Sequence, residues 1–379
     1  MDDIQKILDS LKNSDWWSRK AAIESLTAYP EDLYLDVLEQ WLRDGSDAHR
    51  RNAAMETYRS LGSRALKSLV KLLKDDDPDV RIFSANVIGD IKDTLSVPGL
   101  IDALSDPDDN MKIASAESLG KLGDERAIEP LSALIGNSSQ WVTMACIEAI
   151  GEIGGERAMP ILCKCLEGEV QCGMTFAAIE NAGDQHFIRQ LTPFIDKEDN
   201  LSELALKAVV NIAVKKGVRP MPSYFMSLVP SLIIMQQSPQ YDVKKAAFIA
   251  LSWAEDIRGL EHFIAAMNND DLQEYAVRGI ISLGKRAVPT VIDELKKPRP
   301  NRVILAKVLS MLGEGTALLM FSRDEDPEVR TEVALAIGEL KTTKAKDILL
   351  SLAQDEAEEV RAAAGLSLRN FFNEPATRS

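Results

Sequence analysis

Small and apolar residues recur along this chain every thirty residues or so, and within each period they are spaced for helices. Val80–Gly89 reads VRIFSANVIG, Met111–Gly120 MKIASAESLG, Val142–Gly151 VTMACIEAIG and Met174–Gly183 MTFAAIENAG. Val329–Gly338 reads VRTEVALAIG, and Val360–Arg369 closes the series with VRAAAGLSLR. In the first segment Val80, Ser84, Ala85 and Ile88 share one face of a 3.6-residue helix. Equivalent segments start at Ser18, Arg50, Val80, Met111, Val142, Met174, Leu204, Val243, Tyr275, Ile304, Val329 and Val360. The steps are 32, 30, 31, 31, 32, 30, 39, 32, 29, 25 and 31 residues. Self-similarity at this period marks stacked helical units, none of which can bury its apolar face alone.

A second helix is expected just before each segment. Ile4, Ile7, Leu8 and Leu11 form such a stripe at the N-terminus, and Ala127, Ile128, Leu131 and Leu134 repeat it. Asp77-Pro78, Asp106-Pro107 and Asp326-Pro327 mark the turn within a pair, since Asp caps free amides and Pro fits the first helical turn. Gly123 marks the other turn, where a left-handed residue ends a helix. Small residues such as Ala53, Ala54, Ala114, Ala177 and Ala178 let neighbouring helices approach closely.

The Asp-Pro-x-Val-Arg opening, the paired small residues and Asp124-Glu125-Arg126-Ala127-Ile128-Glu129-Pro130-Leu131 together resemble the HEAT repeat, in particular the short HEAT-like units of phycobilisome lyase subunits. The resemblance runs the length of the chain. It implies an all-α, right-handed α-α superhelix of about twelve two-helix repeats, with the Val-Arg helix lining the concave side. It also implies that the Arg at position two of each segment joins a ladder with Asp of adjacent units. Arg19, Arg51, Arg81, Arg330 and Arg361 match that position; Thr143, Thr175, Ala205, Ala276 and Leu305 do not.

Two units break the period. The long step holds a basic, proline-containing insertion at 214–222, followed by an expected longer helix around 224–237, and the short step leaves only a brief first helix near 316–322. The organisation expected is one solenoid over 1–379. Units 1–7 cover about 1–213, units 8–12 about 223–372, and a short tail 373–379.

Composition narrows the function. The net charge of -15 disfavours general nucleic-acid binding, which needs a basic surface. No apolar run is long enough for a membrane span, and the acidic start Met1-Asp2-Asp3 lacks the marks of a secretory leader, so a cytoplasmic location is the expectation. Cys146, Cys163, Cys165 and Cys172 fall in one window, but Cys163 and Cys165 point about 200° apart on a helix, so free or structural thiols are expected and no metal or other cofactor. His49, His186 and His262 are scattered, and the His-Glu pairs of HEAT-type iron hydroxylases are missing. No phosphate loop, dinucleotide fingerprint or nucleophile elbow occurs, so no catalytic residue is assigned.

The segments themselves carry the better signal. Position three is Ile82, Ile113, Met144, Phe176 and Leu206 in units 3–7. Position seven, one turn on, is Glu24, Glu56, Asn86, Glu117, Glu148 and Glu180 in units 1–6, and turns apolar later as Val210, Ile249, Ile281, Leu335 and Leu366. Trp17 and Trp141 stand nearby, and Trp141 and Phe176 are the aromatic anchors of choice. An apolar row beside an acidic row would suit a protein or peptide partner with apolar anchors and basic flanks, held in a concave groove. Position three is available to a partner only where no neighbouring helix covers it. The reading is a non-catalytic scaffold or adaptor. Two alternatives stay open: a bilin-lyase-like or chromophore-processing subunit, implied by the resemblance, and a solenoid that self-associates through its ends, where Phe371 and Phe372 lie.

Overall fold

The computed structural model describes all residues except 1, 13–14, 45, 169, 171, 184–186, 197–200, 299–300 and 374–379. Among the described residues the regular structure is entirely helical. Twelve helix pairs follow one another. The first members are α1 (Asp2–Leu11), α3 (Leu35–Arg43), α5 (Leu66–Leu72), α7 (Val97–Ala103), α9 (Ile128–Leu134), α11 (Gly155–Glu167), α13 (Ile188–Ile195), α15 (Val229–Met235), α17 (Leu260–Ala266), α19 (Val288–Leu295), α21 (Gly315–Leu318) and α23 (Thr343–Leu352). The second members are α2 (Trp16–Leu26), α4 (Ala48–Leu61), α6 (Pro78–Ile91), α8 (Asp109–Leu122), α10 (Gln140–Ile153), α12 (Cys172–Ala182), α14 (Leu201–Lys216), α16 (Tyr241–Ala254), α18 (Gln273–Leu283), α20 (Arg302–Met311), α22 (Pro327–Ile337) and α24 (Glu358–Asn373). This is an all-α solenoid of two-helix repeats. Within residues 1–191 the even-numbered helices α2 to α12, and within residues 192–379 α16 to α24, pack on their odd-numbered partners, and consecutive even-numbered helices of one unit, α2 to α12 and α14 to α24, pack on one another.

The chain forms two compact units, 1–191 and 192–379, the division falling within the sequence of α13. That division lies upstream of the 214–222 insertion, where the sequence places the break. The insertion is also smaller than expected. Lys215 and Lys216 belong to α14, which Gly217 ends with φ of +64°, a conformation that favours glycine. The long helix expected around 224–237 is instead two single 3-10 turns, Pro222–Tyr224 and Met226–Leu228, followed by the seven-residue α15.

Capping follows the Asp-Pro signal with one exception. Asp77 accepts a hydrogen bond from the Asp79 amide and Asp326 one from the Glu328 amide. At α8 the cap is Asp108, bonded to the Asn110 amide, while Asp106 turns to Arg81. Gly123 ends α8 in the left-handed conformation.

Close packing of second helices needs small residues. A side chain on Gly151 would put its Cβ 2.7 Å from Ala178 Cα, so α10 and α12 could not approach as they do. Ser118 of α8 donates 2.8 Å to the Ala85 carbonyl of α6, satisfying a buried hydroxyl across that contact. Between them run fully buried Val80, Ile88, Met111, Leu119, Val142 and Ile150, each contributing about 1.5–3 kcal/mol of apolar burial.

The Arg–Asp ladder forms at Arg81, which meets Asp106 at 2.8 Å, and at Arg330, which meets Asp355 at 2.8 Å. Each of these arginines also donates to two loop carbonyls of its own repeat. Arg361 keeps only the loop carbonyls, Arg51 lies over the Phe83 ring, and Arg19 pairs with Glu56.

Candidate functional site

The solvent-facing side of the second helices is fixed by what each must bury. In α10 the buried set is Val142, Thr143, Ala145, Cys146, Ile147, Ala149, Ile150 and Gly151. That leaves Trp141, Met144, Glu148 and Glu152, at i, i+3, i+7 and i+11, on one exposed stripe. The same stripe on α8 carries Asn110, Ile113 and Glu117, and on α6 Asp79, Ile82 and Asn86.

Ile82, Ile113 and Met144 are half-buried, with part of each side chain reaching solvent. Glu117 and Glu148 are exposed beside them, and Trp141 is 69% exposed. Trp17 is 71% exposed, packed edge-on against Trp16 at the start of α2. Glu152, which lies over Gly120 of α8, extends the acidic row by a turn. Partial desolvation, then the like charges of Glu148 and Glu117, hold its carboxyl above the usual range, although Lys121 pulls the other way. Carboxylates therefore crowd this end of the stripe without full neutralisation.

Phe176 and Leu206 do not belong to the surface. Phe176 is 2% exposed and Leu206 is fully buried. The reason is register. The α12 set Thr175, Phe176, Ala178 and Ile179, and the α14 set Ala205, Leu206, Ala208 and Val209, repeat the α10 set Val142, Thr143, Ala145 and Cys146. The repeats therefore begin at Thr175 and Ala205, one residue later than the apolar pattern suggests. Position three becomes Ala177 on α12 and Lys207 on α14, and position seven Asn181 and Asn211. Glu180 is half-buried and shares the displaced register of Phe176. Val210 is buried for the same reason, while Ile249 and Ile281 are half-buried and Leu335 and Leu366 exposed.

The signal that finds the correct register is the small buried residue at position four. Ala114, Ala145, Ala178, Ala208, Ala246 and Gly279 all occupy it. Gly279 sets the start of its repeat at Ala276, and the buried set Leu305, Ala306, Val308 and Leu309 of α20 sets the next at Leu305. Position three in the second unit then reads Lys207, Lys245, Arg278 and Lys307 in four successive second helices, a basic row that the apolar pattern hides.

Chemistry elsewhere is spare. Burial pushes the Cys146 thiol up to about 12 and the Cys163 thiol up to about 11, so neither is primed as a nucleophile. Cys165 is buried, and the Cys172 side chain and His186 lie outside the described residues. Among the described residues no group of His, Cys, Asp or Glu side chains is placed to hold a metal ion, and no helix is long and apolar enough to cross a membrane. A hollow of about 560 Å³ lies by the loops at Asp75, Arg81 and Asp106, where it serves the ladder and touches no residue of the stripe.

Stacked two-helix repeats with this ladder define the class of the protein as an α-solenoid. The model of HEAT repeats matches residues 42–109, 66–139, 97–182 and 316–369, together just over half of the chain. The chain belongs to the HEAT-repeat family. A comparison with curated proteins returns no match. Among solved structures the chain is similar to the karyopherin Kap121p bound to the SUMO protease Ulp1p, at 14% identity and a TM-score of 0.57 over 98% of this chain and 49% of Kap121p. Kap121p bound to Nup53p gives 15% identity and a TM-score of 0.56 over the same shares. The chain thus spans about half the length of that relative, and at these identities the likeness is one of fold. The complex of CpcE and CpcF of phycocyanin lyase from Nostoc sp. aligns over 65% of this chain and 94% of its own at 17% identity, with a TM-score of 0.34, too loose to bear on function.

Proposed function

We propose that this protein is a non-catalytic scaffold that captures a partner protein through the exposed stripe of α6, α8 and α10. The observation that carries the reading is the alignment of Trp141, Met144 and Glu148 with Ile113 and Glu117 on neighbouring helices of one compact unit. Exposed aromatic and aliphatic side chains in a row offer contact area, and desolvated aromatic anchors dominate interface energies. The adjoining carboxylates would draw a basic partner and set its register more than its affinity. The occupant proposed is a segment with apolar anchors flanked by Lys or Arg. That Kap121p, of the same fold, has been captured with Ulp1p and with Nup53p supports a protein partner at the level of class.

The test is a labelled synthetic peptide with aromatic and leucine anchors between Lys/Arg flanks, titrated against the full chain by fluorescence anisotropy. Trp141→Ala with Met144→Asp should weaken capture by about tenfold or more while helicity by circular dichroism is kept. Undiminished capture by that variant, or no capture by the wild type, would overturn the reading.

A further inference from the structure

The second unit carries a face of the opposite kind. In residues 1–191 Asp and Glu number 33 against 20 Lys and Arg; in residues 192–379 they number 26 against 24. The second helices sharpen the contrast. α14, α16, α18 and α20 hold three acids, Glu203, Asp242 and Glu274, against eight bases. Four of those bases, Lys207, Lys245, Arg278 and Lys307, occupy position three of successive repeats, with Lys207 and Lys245 half-buried and the other two exposed.

The acids nearby cancel only part of this row. Glu203 is held by the Ser238 and Gln240 side chains, Glu274 pairs with Arg278 on its own helix at 2.5 Å, and Glu332 of α22 reaches Lys307 at 3.6 Å. Lys207 has no ion pair among the described residues. Lys245 makes no ion pair there either: Asp242, one turn back on α16, acts on it only at a distance, and its ammonium lies 5.4 Å from the centre of the Tyr275 ring. The Tyr275 side chain raises the Lys245 ammonium above its ordinary value, so the charge is kept.

Between the end of α14 and the faces of α16 and α18 opens a pocket of about 340 Å³. Val214, Val218, Ile249 and Trp253 supply its apolar wall, and Lys245 and Arg278 stand on its lining. That volume is at the small end of ligand pockets and suits a single apolar side chain.

We infer that this face is a second docking site, which takes an acidic protein segment with one apolar side chain seated in the pocket between α14, α16 and α18. Packed helices lie about 8–10 Å apart and an extended chain rises about 3.3 Å per residue, so successive cations meet carboxylates about three residues apart. Charge complementarity selects the occupant. The apolar wall and the neutral neighbours Asn211, Ile249, Ser282 and Met311 select a peptide over a nucleic acid, whose phosphates ask for a continuous run of donors. This inference stands on residues of the second unit alone and does not depend on the stripe of the first.

The experiment is anisotropy with the full chain and a labelled peptide bearing Asp or Glu at every third position around a central Phe. Binding is expected at low salt, weaker at high salt, and weaker again for a peptide of the same composition with its acids bunched at one end. Lys245→Glu with Arg278→Glu should lower affinity at least about tenfold. The neutral pair Lys245→Met with Arg278→Met should lower it in the same direction with less disturbance of the fold, checked by circular dichroism. The inference fails if the wild type does not bind the spaced peptide at low salt, if both double variants bind it unchanged, or if a single-stranded oligonucleotide of equal charge binds more tightly than the peptide.

Discussion

The stripe of α6, α8 and α10 and the row of α14, α16, α18 and α20 occupy the same register of the same repeat, yet one is apolar and acidic and the other basic. α6, α8 and α10 hold six acids and three bases, against three and eight on the other four helices. What the two share is buried: positions one and five, and the residues a turn further on. Those positions are held by packing, because each repeat touches only its neighbours and must present the same surface to them. Positions three and seven face solvent, cost little to change, and so are where one repeat comes to differ in chemistry from the next. A solenoid can thus hold two unlike faces on one architecture.

The comparison treats each face as a property of its own unit, and the largest perturbation that can break it is to loosen one unit and read the other. Arg330 in α22 is buried, bonded to both carboxylate oxygens of Asp355 and to the Asp324 and Glu325 carbonyls. Arg330→Ala strands all of these and should cost about 3–5 kcal/mol, seen as a lower denaturant midpoint. Capture of the basic peptide by the first unit should be unchanged. If capture falls in step with stability, the faces are not independent. The same pair sets a pH dependence. The Arg330 guanidinium holds the Asp355 carboxyl below its ordinary value of 3.8. Its stabilisation is therefore whole above that value and lost as pH falls below it, and Arg330→Ala should flatten the acid limb of the stability curve.

A smaller effect sharpens the acidic side. Trp141→Ala alone should weaken the basic peptide by about 2 kcal/mol, as a solvent-facing aromatic anchor does when its contact area is removed, with no change in the chain's own melting. Phe176→Ala is the contrasting substitution. Its ring is buried, so it should cost about 3–5 kcal/mol of stability and touch binding only through loss of fold. A Phe176→Ala chain that stays fully stable yet loses peptide would restore Phe176 to the surface.

These two aromatic residues also mark how far the sequence could be read. Helix pairs, the Asp caps at Asp77 and Asp326 and the left-handed Gly123 were legible, because each is a local rule or a repeat-wide packing demand; the ladder at Arg81 and Arg330 was what the family resemblance implied. The solvent-facing placement of Trp141, Met144, Ile113, Glu117 and Glu148 was legible because their units keep an even spacing. Phe176 and Leu206 were not, because an apolar residue beside the start of a repeat fits either of two adjacent registers. A shift of one residue turns a helical position by about 100°, enough to exchange surface for core. The same shift concealed Lys207, Arg278 and Lys307. The extent of α14 and the shortness of α15 escaped for another reason: the prolines at 220 and 222 announce a loop without saying where Gly217 ends the helix.

Charge without anchoring gives the next step down. Glu117→Gln with Glu148→Gln should weaken the basic peptide by a few-fold at low salt, mainly through slower association, and hardly at all at high salt. Stopped-flow association rates at two ionic strengths decide the point; a loss that persists at high salt would make these carboxylates anchors instead of guides.

The finest distinction concerns Glu152, whose carboxyl is held above its ordinary value of 4.5 by desolvation over Gly120 and by Glu148 and Glu117. A cation docked on the stripe favours the charged form and draws that value down, so binding of the basic peptide must release protons in the acidic range where this carboxyl ionises. By linkage the affinity rises with pH through that window, by about twofold or less, and is level at neutrality. The acidic peptide on the second unit meets Lys and Arg, which do not titrate there, and should release none. Calorimetric titrations in buffers of different ionisation enthalpy count the protons directly. Glu152→Gln should abolish the release for the basic peptide, and an equal release in that variant would assign the proton to another carboxylate and detach Glu152 from the stripe.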